Sequence, residues 1–357
     1  MTAPIEIRSD WGLVGHAWAV RALAQSIATE RVSHAYLFTG PHGIGKTTLA
    51  RKLAQALQCT SASRPCGECS TCQRIARDRH PDVQVIEGVP VGYKFDEKAP
   101  PPPPRASEWE RRILKIDQVR ALQHDIARSP FEGRWKIIIL RRFEEANEEA
   151  ANAFLKTLEE PPRHTRLILT ARDASLLLPT IASRCQIFAL RPLPLASIET
   201  TLIERYHVAP PQARVLARLS AGRLGWAIRA SEQPALLAAR QHYLDELNAA
   251  LTEGRAERML RAEALARQSE NLPDLLETWL GWWRDVLWMQ QGDDSRITNL
   301  DRQEVLREHA HRFTKEQAHS MLKAVRATAR YLTQNVNPRL ALEVLLLNLP
   351  RMSSMVR

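Results

Sequence analysis

Short runs of consecutive apolar residues alternate with helical patterns over the first 190 residues of this 357-residue chain. The runs lie at residues 35–38, 135–140, 167–170 and 187–188, and in the second of them one lysine, Lys136, follows the first residue. Apolar runs of this kind are typical of strands buried on both faces of a parallel sheet. Between them, residues 48–57 and 150–159 carry apolar side chains at the spacing of an amphipathic helix. The alternation predicts a doubly wound α/β domain.

The pattern after residue 192 is helical. Residues 193–233 predict three short amphipathic helices, and residues 279–288 predict an aromatic-rich core helix. The last helix is expected to begin with Asn337 as N-cap and Pro338 as its first residue. Its leucines cover more than one face, so its own domain or partner helices must bury it. The chain is therefore expected to contain three domains, at residues 1–192, 193–233 and 234–357.

The composition is ordinary for a soluble globular protein, with 44% hydrophobic and 25% charged residues. No apolar run is long enough to span a bilayer. The N-terminus carries Glu6, Arg8 and Asp10 and does not resemble a signal peptide. A cytoplasmic location is therefore expected. The net charge of +10 suggests work near a polyanion, although codon bias also produces an arginine-rich composition.

The residues after the first predicted strand match a phosphate-binding loop, G-x-x-x-x-G-K-[ST], at 40–47. Lys46 would reach the outer phosphates of a nucleotide, and the Thr47 hydroxyl would ligate Mg²⁺. The strand before the loop and the helix after it argue against a chance match in a glycine-rich turn. Whether ATP is also hydrolysed is a separate question. The predicted nucleotide-binding residues are Gly40, Pro41, His42, Gly43, Ile44, Gly45, Lys46, Thr47 and Thr48.

Four of the five cysteines fall within one short segment. They are Cys59, Cys66, Cys69 and Cys72. Two overlapping C-x-x-C steps let three thiolates face one point, and the first cysteine completes a tetrahedron, which predicts a closed structural Zn²⁺ site. A disulfide or redox pair is the rival interpretation, which a reducing cytosol disfavours. His80 is a weaker substitute ligand, and Cys185 is expected to be a small buried hydrophobic residue.

Residues 88–107 include five consecutive prolines at 100–104. Such a segment has polyproline stiffness and predicts a surface insertion. It could dock a partner, but a loop insertion is the simpler interpretation. The residues that follow, 113–126, are expected to form an amphipathic helix.

The end of the strand at 135–140 differs from that of a working P-loop ATPase. In such an enzyme this strand ends in an acidic residue that positions Mg²⁺ and the attacking water. Here the strand is followed by Arg141 and Arg142, and two cations repel a metal ion. Glu144 and Glu145 come later, on the next turn or helix, and are weaker substitutes.

Four segments together resemble bacterial clamp-loader subunits of the AAA+ class. They are residues 33–40, the four-cysteine insertion at 59–72, residues 152–162, and the triplet Ser183, Arg184 and Cys185. The resemblance implies an AAA+ P-loop domain, a helical lid domain, and a helical collar that joins five subunits into a ring. It also implies gamma/tau and delta subunits as partners, and the sliding clamp and primer–template DNA as partners of the complex. This complex belongs to the DNA polymerase III holoenzyme of DNA replication.

Three departures separate this chain from the ATP-hydrolysing motor subunit of that family. The motor has Asp-Glu in place of Arg141 and Arg142. It has a sensing threonine where Ala171 and Arg172 stand, and a lid-helix arginine where Gly225 stands. The resemblance therefore implies a ring member without ATPase activity of its own. The intact phosphate loop points the other way, and fits a site that binds nucleotide, or once did, without turnover.

The resemblance also gives Arg184 a role in trans. In this family the arginine of the triplet faces the ATP of the neighbouring subunit, with Ser183 and Cys185 as its neighbours in the motif. A guanidinium is always charged and presents a planar fork, so it can neutralise charge that develops on a γ-phosphate. From the residues alone, an ordinary salt bridge or a solvated arginine is the simpler interpretation.

Two other functions remain open from the sequence. One is an ATP-hydrolysing enzyme, either a gamma/tau-like clamp-loader ATPase or another P-loop phosphotransferase. The other is a zinc-dependent nucleic-acid-binding protein with a relic P-loop. ATP turnover that Lys46→Ala abolishes would favour the first. Tight DNA binding that is lost when zinc is removed would favour the second.

Overall fold

The structure, a computed structural model, describes most of the chain. The described residues are 6–8, 10–96, 111–334 and 336–352. The prolines at 100–104 lie outside them. The chain divides into two compact units. The first unit comprises Met1–Ser197 and Gly222–Trp226, and the second comprises Ile198–Ala221 and Ala227–Arg357.

The first unit is built on a parallel sheet. Its strands, in chain order and within the described residues, are β1 (Glu6–Ile7), β2 (Ala35–Thr39), β3 (Ser63–Arg64), β4 (Val83–Ile86), β5 (Val89–Pro90), β6 (Arg112–Ile113), β7 (Lys136–Leu140), β8 (Thr165–Ala171) and β9 (Gln186–Ala189). Five of them form the sheet, in the order β4-β7-β8-β2-β9, and every neighbouring pair is parallel. The carboxyl ends of β2, β7 and β8 therefore meet at one edge, where open α/β sheets bind their ligands.

Helices cover both faces of this sheet. They are α1 (Ala17–Ala28), α2 (Lys46–Gln58), α3 (Ser70–Ala76), α4 (Ile116–Ile126), α5 (Glu148–Glu159) and α6 (Pro179–Ala182). Along β2, Tyr36 and Phe38 point into a core shared with α1 and α2, whereas Leu37 points into a core shared with α4 and α5. Because both faces are buried, apolar residues occupy most positions of the central strands, and this explains their apolar runs.

The predicted α/β fold is confirmed, and the four predicted runs correspond to β2, β7, β8 and β9. The edge strand β4 is not predicted, because its four residues are mostly half-exposed and too few to show a period. The prediction of a helix from residue 113 is wrong at its start. Ile113 pairs with Val89 between β5 and β6, and α4 begins at Ile116. A short antiparallel pair thus holds the base of the proline-rich insertion.

The second unit is helical in its described part. The remaining helices of the chain are α7 (Leu195–Tyr206), α8 (Pro210–Leu219), α9 (Leu224–Glu232), α10 (Pro234–Thr252), α11 (Arg255–Ala266), α12 (Leu272–Gln290), α13 (Gln303–Arg312), α14 (Lys315–Thr333) and α15 (Pro338–Leu347). The aromatic-rich core helix is confirmed, since Trp279, Trp282 and Trp283 of α12 are buried. None of the helices in the described residues is both long and apolar enough to cross a bilayer.

The last helix, α15, begins as predicted. The Asn337 side chain accepts a hydrogen bond from the Arg339 N–H (2.9 Å), and Pro338 is the first residue. Its buried side chains are Ala341, Leu342, Leu345 and Leu346. By contrast, Leu340 and Val344 are 56% and 60% exposed. Within the described residues, the chain therefore buries only one apolar face of this helix.

His309 on α13 is buried among aromatic rings. Its Nδ1 accepts a hydrogen bond from Trp282 Nε1 (3.1 Å), and the Phe313 ring lies 5.5 Å away between centroids. Burial lowers the pKa of His309 to about 4. The native state therefore holds the neutral ring at a pH where the unfolded chain, with a pKa of about 6.5, binds a proton.

The free energy of unfolding should consequently fall as the pH drops from about 6.5 to about 4, by up to about 3 kcal/mol from this residue. Urea unfolding followed by tryptophan fluorescence at several pH values measures the effect. The His309→Gln variant should lose less stability across the same window, because it cannot take up this proton. Parallel loss of stability in the two proteins would contradict the assignment.

Candidate functional site

The phosphate-binding loop lies between the end of β2 and the start of α2. The φ angles at Gly40, Gly43 and Gly45 are 138°, 75° and 108°, a region that glycine enters without strain. Space is also limited at Gly40, where a Cβ would come within 2.7 Å of the Leu190 carbonyl oxygen. The loop thus has the glycine-dependent shape expected of residues 40–48. It precedes a helix N-terminus, which favours anions.

Lys46 folds back onto this loop. Its side chain is buried, and Nζ donates hydrogen bonds to the Pro41 carbonyl oxygen (2.9 Å) and to the Gly40 carbonyl oxygen. Nucleotide phosphates would offer this ammonium charged acceptors in place of two neutral carbonyls. The residues of the loop therefore fit a phosphate group.

The other side of the loop contacts the start of α9. The Gly225 N–H donates to the Gly43 carbonyl oxygen (2.8 Å), and a Cβ on Gly225 would lie only 2.8 Å from the same oxygen. A Cβ on Gly43 would lie 2.9 Å from the Trp226 nitrogen. An arginine at position 225, which the resemblance implies for the motor subunit, would require this contact to open.

The end of β7 presents two guanidinium groups, each close to an acid. Arg141 Nη1 lies 2.8 Å from Glu87 Oε2, and Arg142 Nη1 lies 3.7 Å from Glu145 Oε1. The φ of Arg142 is 52°, which is uncommon for a residue with a side chain. Its N–H donates to Thr170 Oγ1 (3.0 Å). The Thr170 hydroxyl lies nearest to the position expected for a sensing threonine. It is already hydrogen-bonded to the residues that follow β7.

Glu144 and Glu145 lie on a short turn after β7, as expected. The two oxygens of the Glu144 carboxylate differ. Oε1 accepts a hydrogen bond from the Arg172 N–H (3.2 Å), whereas Oε2 is buried and has no hydrogen-bond partner among the described residues. The Arg172 carbonyl oxygen in turn accepts from the Gly40 N–H (3.0 Å). Glu144 is thus linked to the phosphate loop through one residue.

The four clustered cysteines meet at one point. The Sγ atoms of Cys59, Cys66, Cys69 and Cys72 all lie within 4.8 Å of one another. The closest pairs are 3.6 Å, 3.9 Å and 4.0 Å apart. Four sulfurs bound to one Zn²⁺ at about 2.3 Å would be separated by about 3.8 Å. The cluster could therefore hold a tetrahedral metal ion.

Backbone groups support the cluster. The Cys69 N–H donates to Cys66 Sγ (3.3 Å) and is the main reason why the pKa of the Cys66 thiol is lowered to about 6. Burial raises the pKa of Cys72, and a bound dication would favour its thiolate. Gln55 of α2 donates to the Cys72 carbonyl oxygen (2.7 Å). His80 lies outside the cluster, with Nε2 3.3 Å from a Glu132 oxygen.

Arg184 follows α6 and is roughly one-third exposed. Its Nη1 donates to the Thr180 carbonyl oxygen (2.8 Å), and its Nη2 lies 2.7 Å from Glu159 Oε1. Among the described residues, none of its hydrogen bonds goes to the phosphate loop. The guanidinium thus makes a salt bridge within its own chain, as the simpler interpretation of the sequence holds, and it still reaches the surface.

The two neighbours of Arg184 have different surroundings. The Ser183 hydroxyl donates to the Thr180 carbonyl oxygen (3.2 Å) and is exposed. Burial raises the pKa of Cys185 to about 12, so its thiol is neutral and not a nucleophile. The residue that sequence reasoning misses is Glu159, because it lies 25 positions from Arg184 and no motif links the two.

A parallel sheet of the order β4-β7-β8-β2-β9, with a phosphate loop after β2, defines an α/β P-loop domain. A family model described as DNA polymerase III, delta subunit, matches residues 15–194, and the model of that subunit's C terminal matches residues 234–351. The chain therefore belongs to the family of DNA polymerase III delta subunits.

Two named DNA polymerase III subunits are similar to this chain in sequence. The DNA polymerase III subunit delta′ of Bacillus subtilis is 29% identical over 335 residues, which cover 92% of this chain and 94% of the relative. The DNA polymerase III subunit tau of Escherichia coli is 32% identical over 228 residues, or 62% of this chain. The aligned part spans only 32% of tau. A solved structure of the Bacillus subtilis DNA clamp loader delta protein aligns with 92% of this chain and 98% of its own, at 14% identity and a TM-score of 0.31.

Proposed function

We propose that this chain is the delta-prime subunit of a DNA polymerase III clamp loader. It takes part in a five-membered ring without hydrolysing ATP, and supplies Arg184 to the ATP of a neighbouring subunit. One observation carries the first half of the proposal: Arg141 and Arg142 stand at the end of β7, where an ATPase needs an acid.

Electrostatics explains why this replacement is decisive. Two unit charges 4 Å apart interact by about 4 kcal/mol at an effective dielectric constant of 20, and the divalent charge of Mg²⁺ doubles that figure. A guanidinium in place of a carboxylate therefore turns a large attraction into a repulsion. Two nearby acids, Glu87 and Glu145, are already paired with these arginines.

The phosphate loop would hold a nucleotide without turning it over. Its backbone N–H groups and Lys46 would bind phosphates, and Thr47 is the hydroxyl ligand for Mg²⁺. The contact between Gly225 and Gly43 occupies the side from which a motor subunit would supply its lid arginine. In this proposal the chain keeps the groups that bind phosphate and lacks the groups that hydrolyse ATP.

The cofactor proposed for the cysteine cluster is a structural Zn²⁺. Four sulfur ligands leave no open position for water, so the ion has no role in chemistry here. The proposed partners are gamma/tau and delta subunits in the ring, with the sliding clamp and primer–template DNA reached through the complex. The corresponding location is the bacterial cytoplasm.

ATP turnover by the isolated chain tests this function. The unmutated chain should hydrolyse ATP no faster than the Lys46→Ala variant, and titration with a fluorescent ATP analogue in parallel reports whether the loop holds nucleotide. ATP hydrolysis that Lys46→Ala abolishes would show that the chain is a motor-type ATPase and would contradict the proposal.

One observation favours the gamma/tau-like ATPase as a second candidate. Glu144 Oε2 is buried without a hydrogen-bond partner among the described residues, and a buried oxygen of this kind is a place for a water or an ion. If Glu144 replaced the missing acid, Glu144→Gln would abolish turnover, while Glu149→Gln on the exposed start of α5 would not. No turnover in any of these proteins would leave the first candidate standing.

A further inference from the structure

We propose that Glu159 is a positioning residue for Arg184, which holds the guanidinium at the subunit surface in the orientation that a neighbouring nucleotide requires. The proposal rests on the trans role of Arg184 given above. It assigns a task to a residue on another element of the first unit. The juxtaposition that carries it is the 2.7 Å contact between Glu159 Oε1 and Arg184 Nη2.

The guanidinium is held from two sides. Nη1 donates to the Thr180 carbonyl oxygen within the turn that contains Arg184 itself, and Nη2 donates to Glu159 at the end of α5. A guanidinium carries five N–H donors in a rigid plane. Two contacts fix that plane and leave further N–H groups for an anion. About one-third of the Arg184 side chain is exposed, so another protein can reach it.

Glu159 has no evident task in stabilising its own helix. It is the last residue of α5, and the C-terminal end of a helix dipole disfavours a negative charge. Among the described residues, Arg184 is its one salt-bridge and side-chain hydrogen-bond partner. The pair is partly exposed, with 35% and 49% of the two side chains accessible. A pair of this kind adds little to the stability of a fold.

The pair instead restricts the Arg184 guanidinium to one orientation. A solvated arginine samples many rotamers. If a catalytic group must become ordered during the reaction, the entropy cost raises the barrier and lowers the rate. With one Nη bonded to Glu159, the guanidinium already has a fixed orientation before the neighbour's nucleotide arrives. The carboxylate can stay on its N–H while the outer N–H groups donate to phosphate oxygens, so no bond has to break.

The test uses the assembled complex and measures the rate of the first ATP turnover at the site that Arg184 serves. Glu159→Ala should slow this turnover roughly tenfold, with the apparent affinity for ATP nearly unchanged, because orientation matters most in the transition state. Glu159→Gln keeps an oxygen that accepts the hydrogen bond, so it should restore most of the rate.

Two matched variants complete the design. Glu160→Ala removes the neighbouring exposed acid at the same helix end and should leave the rate unchanged. In the double variant Glu159→Ala/Arg184→Ala, the rate should equal that of Arg184→Ala alone, because Glu159 acts only through Arg184.

The outcomes separate the two proposals. If Arg184→Ala has no effect on ring turnover, the trans role itself fails. If Arg184→Ala slows turnover but Glu159→Ala does not, only the positioning role is overturned. A faster Glu159→Ala complex would also overturn it, since the carboxylate would then be withholding the guanidinium. A double variant slower than Arg184→Ala alone would show that Glu159 acts on something else.

Discussion

A clamp-loader ring assembled with Arg184→Ala in this chain should lose about 10³-fold or more in the rate of ATP hydrolysis at the one site that faces Arg184. The reason is electrostatic. Charge spreads over the γ-phosphate oxygens in the transition state, and an arginine aimed at them stabilises that state more than the bound ATP. The side chain is partly exposed and makes no hydrogen bond to the phosphate loop of its own chain among the described residues.

A pre-steady-state measurement isolates this effect, because the other sites of the ring continue to turn over. The burst of ADP formed per ring should decrease by the contribution of one site. Arg184→Lys should also be slow, since an ammonium keeps the charge but loses the planar fork.

Arg163→Ala is the matched control for this experiment. It removes another exposed arginine at the same end of the sheet, before the start of β8, and leaves the pair of Arg184 with Glu159 intact. It should leave the burst unchanged. An unchanged burst with Arg184→Ala would instead show that the guanidinium serves only its salt bridge with Glu159.

Most of the sheet could be predicted because burial on both faces leaves a direct trace in the sequence. Every residue of β2 and of β7 is buried, and apart from Thr39 and Lys136 at their ends the two strands are apolar throughout. The edge strand β4 leaves no such trace, since only one of its four residues is fully buried. Its place is set by pairing with β7, which links residues more than fifty positions apart and which a local pattern does not record.

The same distinction applies to the sites. The phosphate loop and the cysteine cluster are contiguous motifs, and their geometry follows from spacing and from elementary ligand chemistry. The contact of Gly225 with Gly43 joins distant parts of the chain, as does the pair of Glu159 with Arg184. Such pairs exist only after the sheet has placed its elements. Under the proposed function, they decide which of the motifs take part in ATP hydrolysis.

The double substitution Cys66→Ser/Cys69→Ser should remove one zinc ion per chain and destabilise the first unit by at least about 3 kcal/mol. Metal binding contributes about 10–16 kcal/mol in isolated zinc-finger peptides, and a segment attached to a folded domain depends on it less. For a unit of this size, 3 kcal/mol lowers the melting temperature by about 6–12 °C. Elemental analysis and thermal unfolding measure the two effects.

The segment around the cysteines buries few apolar side chains, and this is why the effect should be large. It contains a strand of two residues, β3, and a helix of seven residues, α3, whose fully buried side chains are Cys72 and Ile75. Cys185→Ser is the matched control, because this fifth cysteine lies outside the cluster and should leave the zinc content at one per chain. A metal-free unmutated chain that resists proteolysis between residues 59 and 80 would contradict the prediction. It would mean that the N–H to sulfur hydrogen bonds, together with the contact from Gln55 to the Cys72 carbonyl, suffice to fold the segment.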